Sequence, residues 1–384
     1  MGTVLEHNNT IFRLLMYKPT TISSKRSGAL DLLRFVAVLI VFFGHYTDTF
    51  NYIYRIVPEN LKYSPVSKYA SLALLIFFMV SGYVVTMTSI KKGIKEFIVT
   101  RLSRLYPLFW VSCLIAFILP RLPFLNHSYL AYSTFKEFLV NLTMIPSVFG
   151  YAMINPVFHT LLIELVFYFF IATIIIFKWW NKIITVISVM LILSVASLFK
   201  EDMPVHIIIT PFLGGMIFYL ISINYASKLK LYSLLSVNFF CALMSARPLA
   251  QQLDVFYKVA GSHNVWIMMF IITLIYISFL LISLKTITIR SRPSLQLLGE
   301  IAYPFYLFHI YFLCFYYYFR NSIQADLLLY GILLAAIVSS WLINILIEKP
   351  CSKLASKVLY FIFRIFEKRS KKEDYDKIDL LKVP

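Results

Sequence analysis

The sequence predicts an all-α fold: a polytopic transmembrane helix bundle of about ten spans. Three observations predict it. Of 384 residues, 60% are hydrophobic and only 14% charged, with 35 Phe and 26 Tyr, more apolar surface than a soluble domain of this size can bury. The apolar residues fall into runs near the roughly 20 residues that a helix needs to cross a bilayer. Lys and Arg also alternate between scarce and abundant from one inter-run loop to the next.

Ten runs qualify in order: 30–50, 69–90, 105–122, 157–177, 183–199, 205–223, 231–247, 264–284, 297–319 and 326–347. The first follows a polar, basic tail, 1–29, and is long enough to span rather than to be cleaved as a leader. The seventh is short and interrupted by Ser233, Ser236 and Asn238. Charge decides in its favour. With ten spans and an internal N-terminus, 26 Lys and Arg fall in inside segments and nine outside, with Arg34 inside the first span completing the 36. Deleting the seventh span would carry the ten basic residues of the C-terminal tail outside. The chain therefore divides into a cytoplasmic tail (1–29), a membrane domain (30–348) and a basic cytoplasmic tail (349–384). In that last tail, "KLASKVLYFIFRIFEKRSKK" has an apolar run too short to span, flanked by basic residues, which predicts an interfacial helix on anionic lipid. The longest outer loop, 123–156, contains Pro123, Pro146 and Pro156 and predicts a cap or re-entrant element.

The net charge of +18 is thereby a topology signal rather than a nucleic-acid footprint. Cys113, Cys241, Cys314 and Cys351 form no CxxC pair and read as small apolar residues. No P-loop, GxGxxG or zinc-ligand spacing is present, so neither nucleoside-triphosphate hydrolysis nor a bound metal is expected.

Against this background the polar groups inside the spans stand out. "LDLLRFVAVLIVFFGHY" holds Arg34 and His45, although an arginine near a span's centre costs about 2.5–3.5 kcal/mol on insertion scales. Eleven residues of helix turn the chain to within about 20° of its starting direction and rise about 16 Å. Both side chains should therefore point the same way, Arg34 near the inner end and His45 in the outer half. Arg34 either snorkels inward, neutralised by Asp31 one turn earlier, or lines a polar cavity. His45 is too deep to snorkel inward; it is either a satisfied structural histidine or part of a site. Span four, "HTLLIELVFYFF", puts Glu164 about 12 Å from its outer end, a depth comparable with that of His45, so the two should pair. Span nine, "LGEIAYPFYLFHIYF", puts His309 in the same half. Should Glu164 lie out of reach, held by tyrosine or backbone donors, His309 becomes the partner of His45. Titratable groups converging at one depth fit a site that moves protons. The loop "KKGIKEFIVTRLSRLYP" carries Arg101 and Arg104 at i and i+3. Positive-inside bias alone accounts for its charge, yet two guanidinium forks at that spacing also match a multiply phosphorylated ligand.

With these residues in place the chain resembles the acyltransferase-3 family of integral-membrane acyltransferases over about 28–350. Arg34 and His45 are similar to that family's R-x10-H. "FFMVSGYVV" with Ser81 and Gly82, and Arg101-x-x-Arg104 before Pro107, resemble two further motifs. Thr160, Leu161 and Glu164 resemble W-[ST]-L-x-x-E, with His159 where the family has tryptophan. Gly299, Tyr303, Tyr306 and His309 resemble G-x-x-S-Y-x-x-Y-L-x-H, with Ala302 in place of the serine. The resemblance implies ten spans in a bacterial cytoplasmic membrane and transfer of an acyl group, usually acetyl, from coenzyme A to a sugar hydroxyl of a surface polysaccharide or lipid-linked glycan. Acetyl-CoA would be a co-substrate, with no permanently bound cofactor. Arg101 and Arg104 would hold its phosphates and Arg34 would line the channel for its pantetheine arm. His45 would serve as general base or transient acyl carrier, oriented by Glu164. Ser81, Tyr303, Tyr306 and His309 are further candidates. The competing class is a glycan flippase or transporter, which should not consume acetyl-CoA.

Overall fold

The structure is a computed structural model that describes residues 26–49, 65–122, 132–199, 205–257 and 263–380. Every regular element among these residues is helical. In hydrocarbon each backbone N–H and C=O must find its partner within the chain, and a helix does this locally.

The helices are α1 (Gly28–Gly44), α2 (Ala73–Ser89), α3 (Ile94–Ile118), the short α4 (Phe135–Asn141), α5 (Phe158–Ile176), α6 (Ile183–Ser197), α7 (Val205–Ser222), α8 (Lys228–Met244), α9 (Ala246–Tyr257), α10 (Val265–Ser283), α11 (Pro293–Phe308), α12 (Leu313–Phe319), α13 (Ala325–Ile343) and α14 (Lys349–Leu380). Among the described residues nine stretches are long and apolar enough to cross a membrane, and a tenth apolar helix, Ile207–Ser222, lies within α7. The weak seventh run is indeed helical, as α8, and is prolonged by α9.

Two close crossings position the site. Backbone meets backbone where α2 crosses α7. A Cβ on Gly82 would stand 2.2 Å from the Phe212 carbonyl oxygen, and one on Gly215 would stand 2.1 Å from that of Met79. Gly82 is thus a packing residue, and its contact with α7 sets the direction in which neighbouring Ser81 points. The second crossing joins α1 to α11. Phe42 stacks on Tyr46 at 4.2 Å and lies 5.8 Å from Phe305, while the Tyr46 hydroxyl donates to the His309 carbonyl at 2.8 Å. Gly299 leaves the space that Asp31 fills, since a Cβ there would meet Asp31 Oδ1 at 2.2 Å.

Both helices of this second pair depart from α geometry where their histidines lie. A π turn, His45–Thr49, ends α1, and a 3-10 turn, His309–Phe312, follows α11. A second π turn, Asn344–Glu348, joins α13 to α14. The basic tail forms α14, which continues the last span and packs along α3. In the long loop, residues 123–131 lie outside the described residues. The rest contains α4, closed by a capping box in which Thr134 and Glu137 bond reciprocally. The Thr134 N–H and hydroxyl hold the Glu137 carboxyl below its ordinary range.

Candidate active site

Two connected spaces and one histidine pair contain the candidate residues. The first space is a narrow cavity of about 100 Å³ lined by Arg34, Ser81, Arg101, Arg104, Thr160, Glu164, Tyr303 and Tyr306, with Ala302 and Gly299 in its wall. The second is a cleft of about 890 Å³ at the end of the bundle that holds the start of α1, the end of α2 and the start of α14. Arg34, Val84 and Arg104 line both, so the cavity opens into the cleft beside two guanidinium groups.

Within the cavity Glu164 is held by hydroxyls. Tyr168 donates to its Oε1 at 2.5 Å and Ser81 to the same oxygen at 3.1 Å. The expected pairing of Glu164 with His45 is therefore incorrect. The carboxylate faces the arginine-lined cavity, one helical turn from the tyrosine that takes up one of its oxygens. Tyr168 escaped the sequence reading, although its i+4 spacing from Glu164 was a signal for contact. Arg101 is 7% exposed, donates to Thr88 and lies 5.7 and 5.6 Å from the ring centres of Phe97 and Tyr168. Its Nε has no hydrogen-bond partner among the described residues. Arg101 and Arg104 do share one wall, as their spacing requires, but differ in setting: Arg101 is buried and Arg104 exposed.

Asp31 acts on Arg34 through its charge alone and makes no close ion pair with it. Asp31 instead accepts from Arg26 at 2.7 Å, and Arg26 further donates to Glu300 at 2.9 Å and to the Gln296 carbonyl at 2.7 Å. Burial opposes the charge of Arg26, but the hydrogen bonds and charges of Asp31 and Glu300 outweigh it and raise its pKa. Glu300 in turn pairs with Lys349 at 2.9 Å. Residue 26 lies just ahead of the first span, so a search confined to one helical turn within the span could not find it. Arg34 is left free to face both spaces, and neither it nor Arg104 makes an ion pair or side-chain hydrogen bond among the described residues.

His45 and His309 meet beyond Tyr306. His45 Nδ1 lies 3.0 Å from His309 Nε2, and the rings stack at 5.0 Å with 20° between planes. The proton positions follow from the acceptors. His309 Nδ1 faces two carbonyl oxygens, those of Phe305 at 3.1 Å and Tyr306 at 2.9 Å, and so must donate. In the neutral ring the lone pair is then on Nε2. It accepts from His45 Nδ1–H, which leaves the second lone pair on His45 Nε2. His309 is fully buried, whereas His45 is half-buried. Tyr306 separates this pair from the cavity: its hydroxyl bonds Thr160 Oγ1 at 2.8 Å, and its ring lies 6.0 Å from that of His309 and 5.6 Å from that of Phe77. Tyr303 donates to the Leu105 carbonyl at 2.8 Å, fixing α11 against α3. His159, at the family's tryptophan position, is exposed.

The arrangement combines an unpaired cationic junction, a narrow channel and an imidazole with an available lone pair. A family model described as an acyltransferase domain matches residues 27–345. No curated protein and no solved structure matches the chain.

Proposed function

The chain belongs to the acyltransferase-3 family, and from that premise we propose that it moves an acetyl group from acetyl-CoA to a hydroxyl of a surface polysaccharide or lipid-linked glycan. The observation that carries this reading is the junction at Arg34 and Arg104. Two guanidinium groups that make no ion pair among the described residues stand where a wide cleft narrows to a channel. That shape and charge suit a ligand with a phosphorylated head and a thin neutral arm. The cleft end is the cytoplasmic end in this reading, supported by the 26 to nine distribution of Lys and Arg.

The head of the donor lies in the cleft, its diphosphate at Arg104 and Arg34, and the pantetheine arm runs past Ser81 and Glu164 toward Tyr306. Glu164, oriented by Tyr168 and Ser81, offsets the positive charge of the three arginines of the cavity. Breaking the Tyr306–Thr160 hydrogen bond lets the thioester meet His45. His45 Nε2 takes the proton of the acceptor hydroxyl as its oxygen forms the new bond to the acyl carbon. The carbon–sulfur bond then breaks and the thiolate leaves, to be protonated in turn. The imidazolium on His45 is stabilised by the His309 Nε2 lone pair, which gives His309 the orienting role that a carboxylate has in other triads. The protein would reside in a bacterial cytoplasmic membrane.

The test compares surface glycans, by mass spectrometry, from cells with and without the protein, and follows acetyl-CoA consumption by the purified enzyme with those glycans. Acetylated glycan and matching thioester loss are expected. Glycan movement without donor consumption would instead assign a flippase.

A further inference from the structure

The matched domain ends at residue 345, yet the cleft does not. Its wall is completed by Lys349, Lys353 and Lys357 of α14. These recur every fourth residue, so they lie along one helical strip about 12 Å long. A neighbouring side of α14, about 110° round the helix, presents Leu354, Val358, Phe361 and Ile365, all more than a third exposed, which is the apolar stripe of an amphipathic helix. Docking of α14 on α3 thus brings the lysine strip to the cleft.

Six cations and three carboxylates line the cleft, and the carboxylates are taken. Asp31 and Glu300 bind Arg26 and Lys349, and Glu348 accepts from Asn344 at 2.9 Å. Arg34, Arg104, Lys353 and Lys357 remain without an ion pair among the described residues. They are also ordered in space: Arg34 and Arg104 line both channel and cleft, whereas Lys353 and Lys357 line the cleft alone.

We propose that Lys353 and Lys357 bind the outermost phosphate of the donor, the 3′-phosphate on the ribose of coenzyme A. The assignment rests on the proposed donor and follows from the order of groups along it. The diphosphate adjoins the pantetheine arm and meets the arginines at the channel mouth. The 3′-phosphate is farther from the arm and meets the lysines farther from the mouth. The C-terminal helix is then a specificity element of the donor site.

The test is calorimetric titration of the full-length protein in zwitterionic nanodiscs with coenzyme A and with 3′-dephospho-coenzyme A. The wild type should prefer coenzyme A. In Lys353→Gln/Lys357→Gln its Kd should rise about tenfold or more, as expected for the loss of charge-assisted bonds, while the Kd of the dephosphorylated form stays within about twofold. Arg104→Gln should weaken both ligands. An unchanged Kd in the lysine variant, or equal weakening of both ligands by it, overturns the assignment. So does an unchanged Kd accompanied by lost retention of phosphatidylglycerol in native mass spectrometry, which would make the strip a lipid contact. If the wild type binds neither ligand, it is the donor reading itself that fails.

Discussion

His309 can donate from Nδ1 only to carbonyl oxygens, and that single constraint fixes the basic nitrogen of His45. His45→Ala should therefore lower kcat by about 10²–10⁴-fold, the usual range for a lost general base, at matched levels of folded protein. If His309 orients His45 as proposed, His309→Ala should lower kcat about tenfold or more with little change in the KM for acetyl-CoA. His309→Gln, whose amide oxygen can still accept from Nδ1–H, should recover part of the loss. Glu164→Gln should have the opposite signature: a lowered donor KM with little loss of kcat, because the carboxylate faces the arginines rather than the histidines and its removal leaves the junction more cationic toward the diphosphate. The effects of Glu164→Gln and His309→Ala should combine independently in the double variant, as separate clusters do. Parallel collapse of kcat in all three single variants would show that one unit, not two, has been divided here. At this scale the sequence displayed which residues lie within the membrane but not their partners. Depth along a helix placed Glu164 and His45 at comparable levels, yet it contains no information on rotation about the helix axis. That rotation directs Glu164 to Ser81 and Tyr168. Asp31 likewise found its partner in Arg26, outside the span.

The crossing of α2 and α7 depends on glycines. Gly82→Val would drive two methyl groups into the Phe212 carbonyl, already 2.2 Å from a single added Cβ. Overpacking of this kind costs about 1–3 kcal/mol. Its expected result is a lowered melting temperature of the detergent-solubilised protein, together with a displaced Ser81 and impaired activity. Retained melting temperature and activity would mean that the helices separate more easily than this contact implies. Hydropathy made most of the spans legible almost to their ends, because the length of a span follows from the thickness of the bilayer; α3 departs, starting at Ile94 in the basic stretch ahead of its apolar run. It was blind to the π turns at His45–Thr49 and Asn344–Glu348. A π turn changes the register of a helix without changing its apolarity, so the run of α13 into α14 could not be read. Short amphipathic stretches also do not declare whether their polar strip meets lipid headgroups or, as in α14, the wall of a cleft.

Across the whole molecule, the Asp31–Arg26–Glu300–Lys349 chain of ion pairs joins the start of α1, α11 and α14. It places the start of the first span and the end of the last at one end of the bundle. Reporters fused at the two termini should accordingly share one compartment, in keeping with an even number of crossings. Opposite locations would require a crossing to be lost or gained.

The thin layer formed by Tyr306, Thr160 and Phe77 between the cavity and the histidine pair also has an electrical meaning. A polar channel that continued through the bundle would short-circuit the membrane. On the proposed reading this layer would act as the insulator and take much of the transmembrane voltage; each charge moved through a full 100 mV is worth about 2.3 kcal/mol. In the proposed reaction an acyl group passes through this layer while protons must not. An uncharged thioester feels no such voltage, whereas a proton passing between Tyr306 and His309 feels it fully. Proteoliposomes holding Tyr306→Ala should therefore lose an imposed pH gradient faster than those holding the unaltered protein, even with no substrate present.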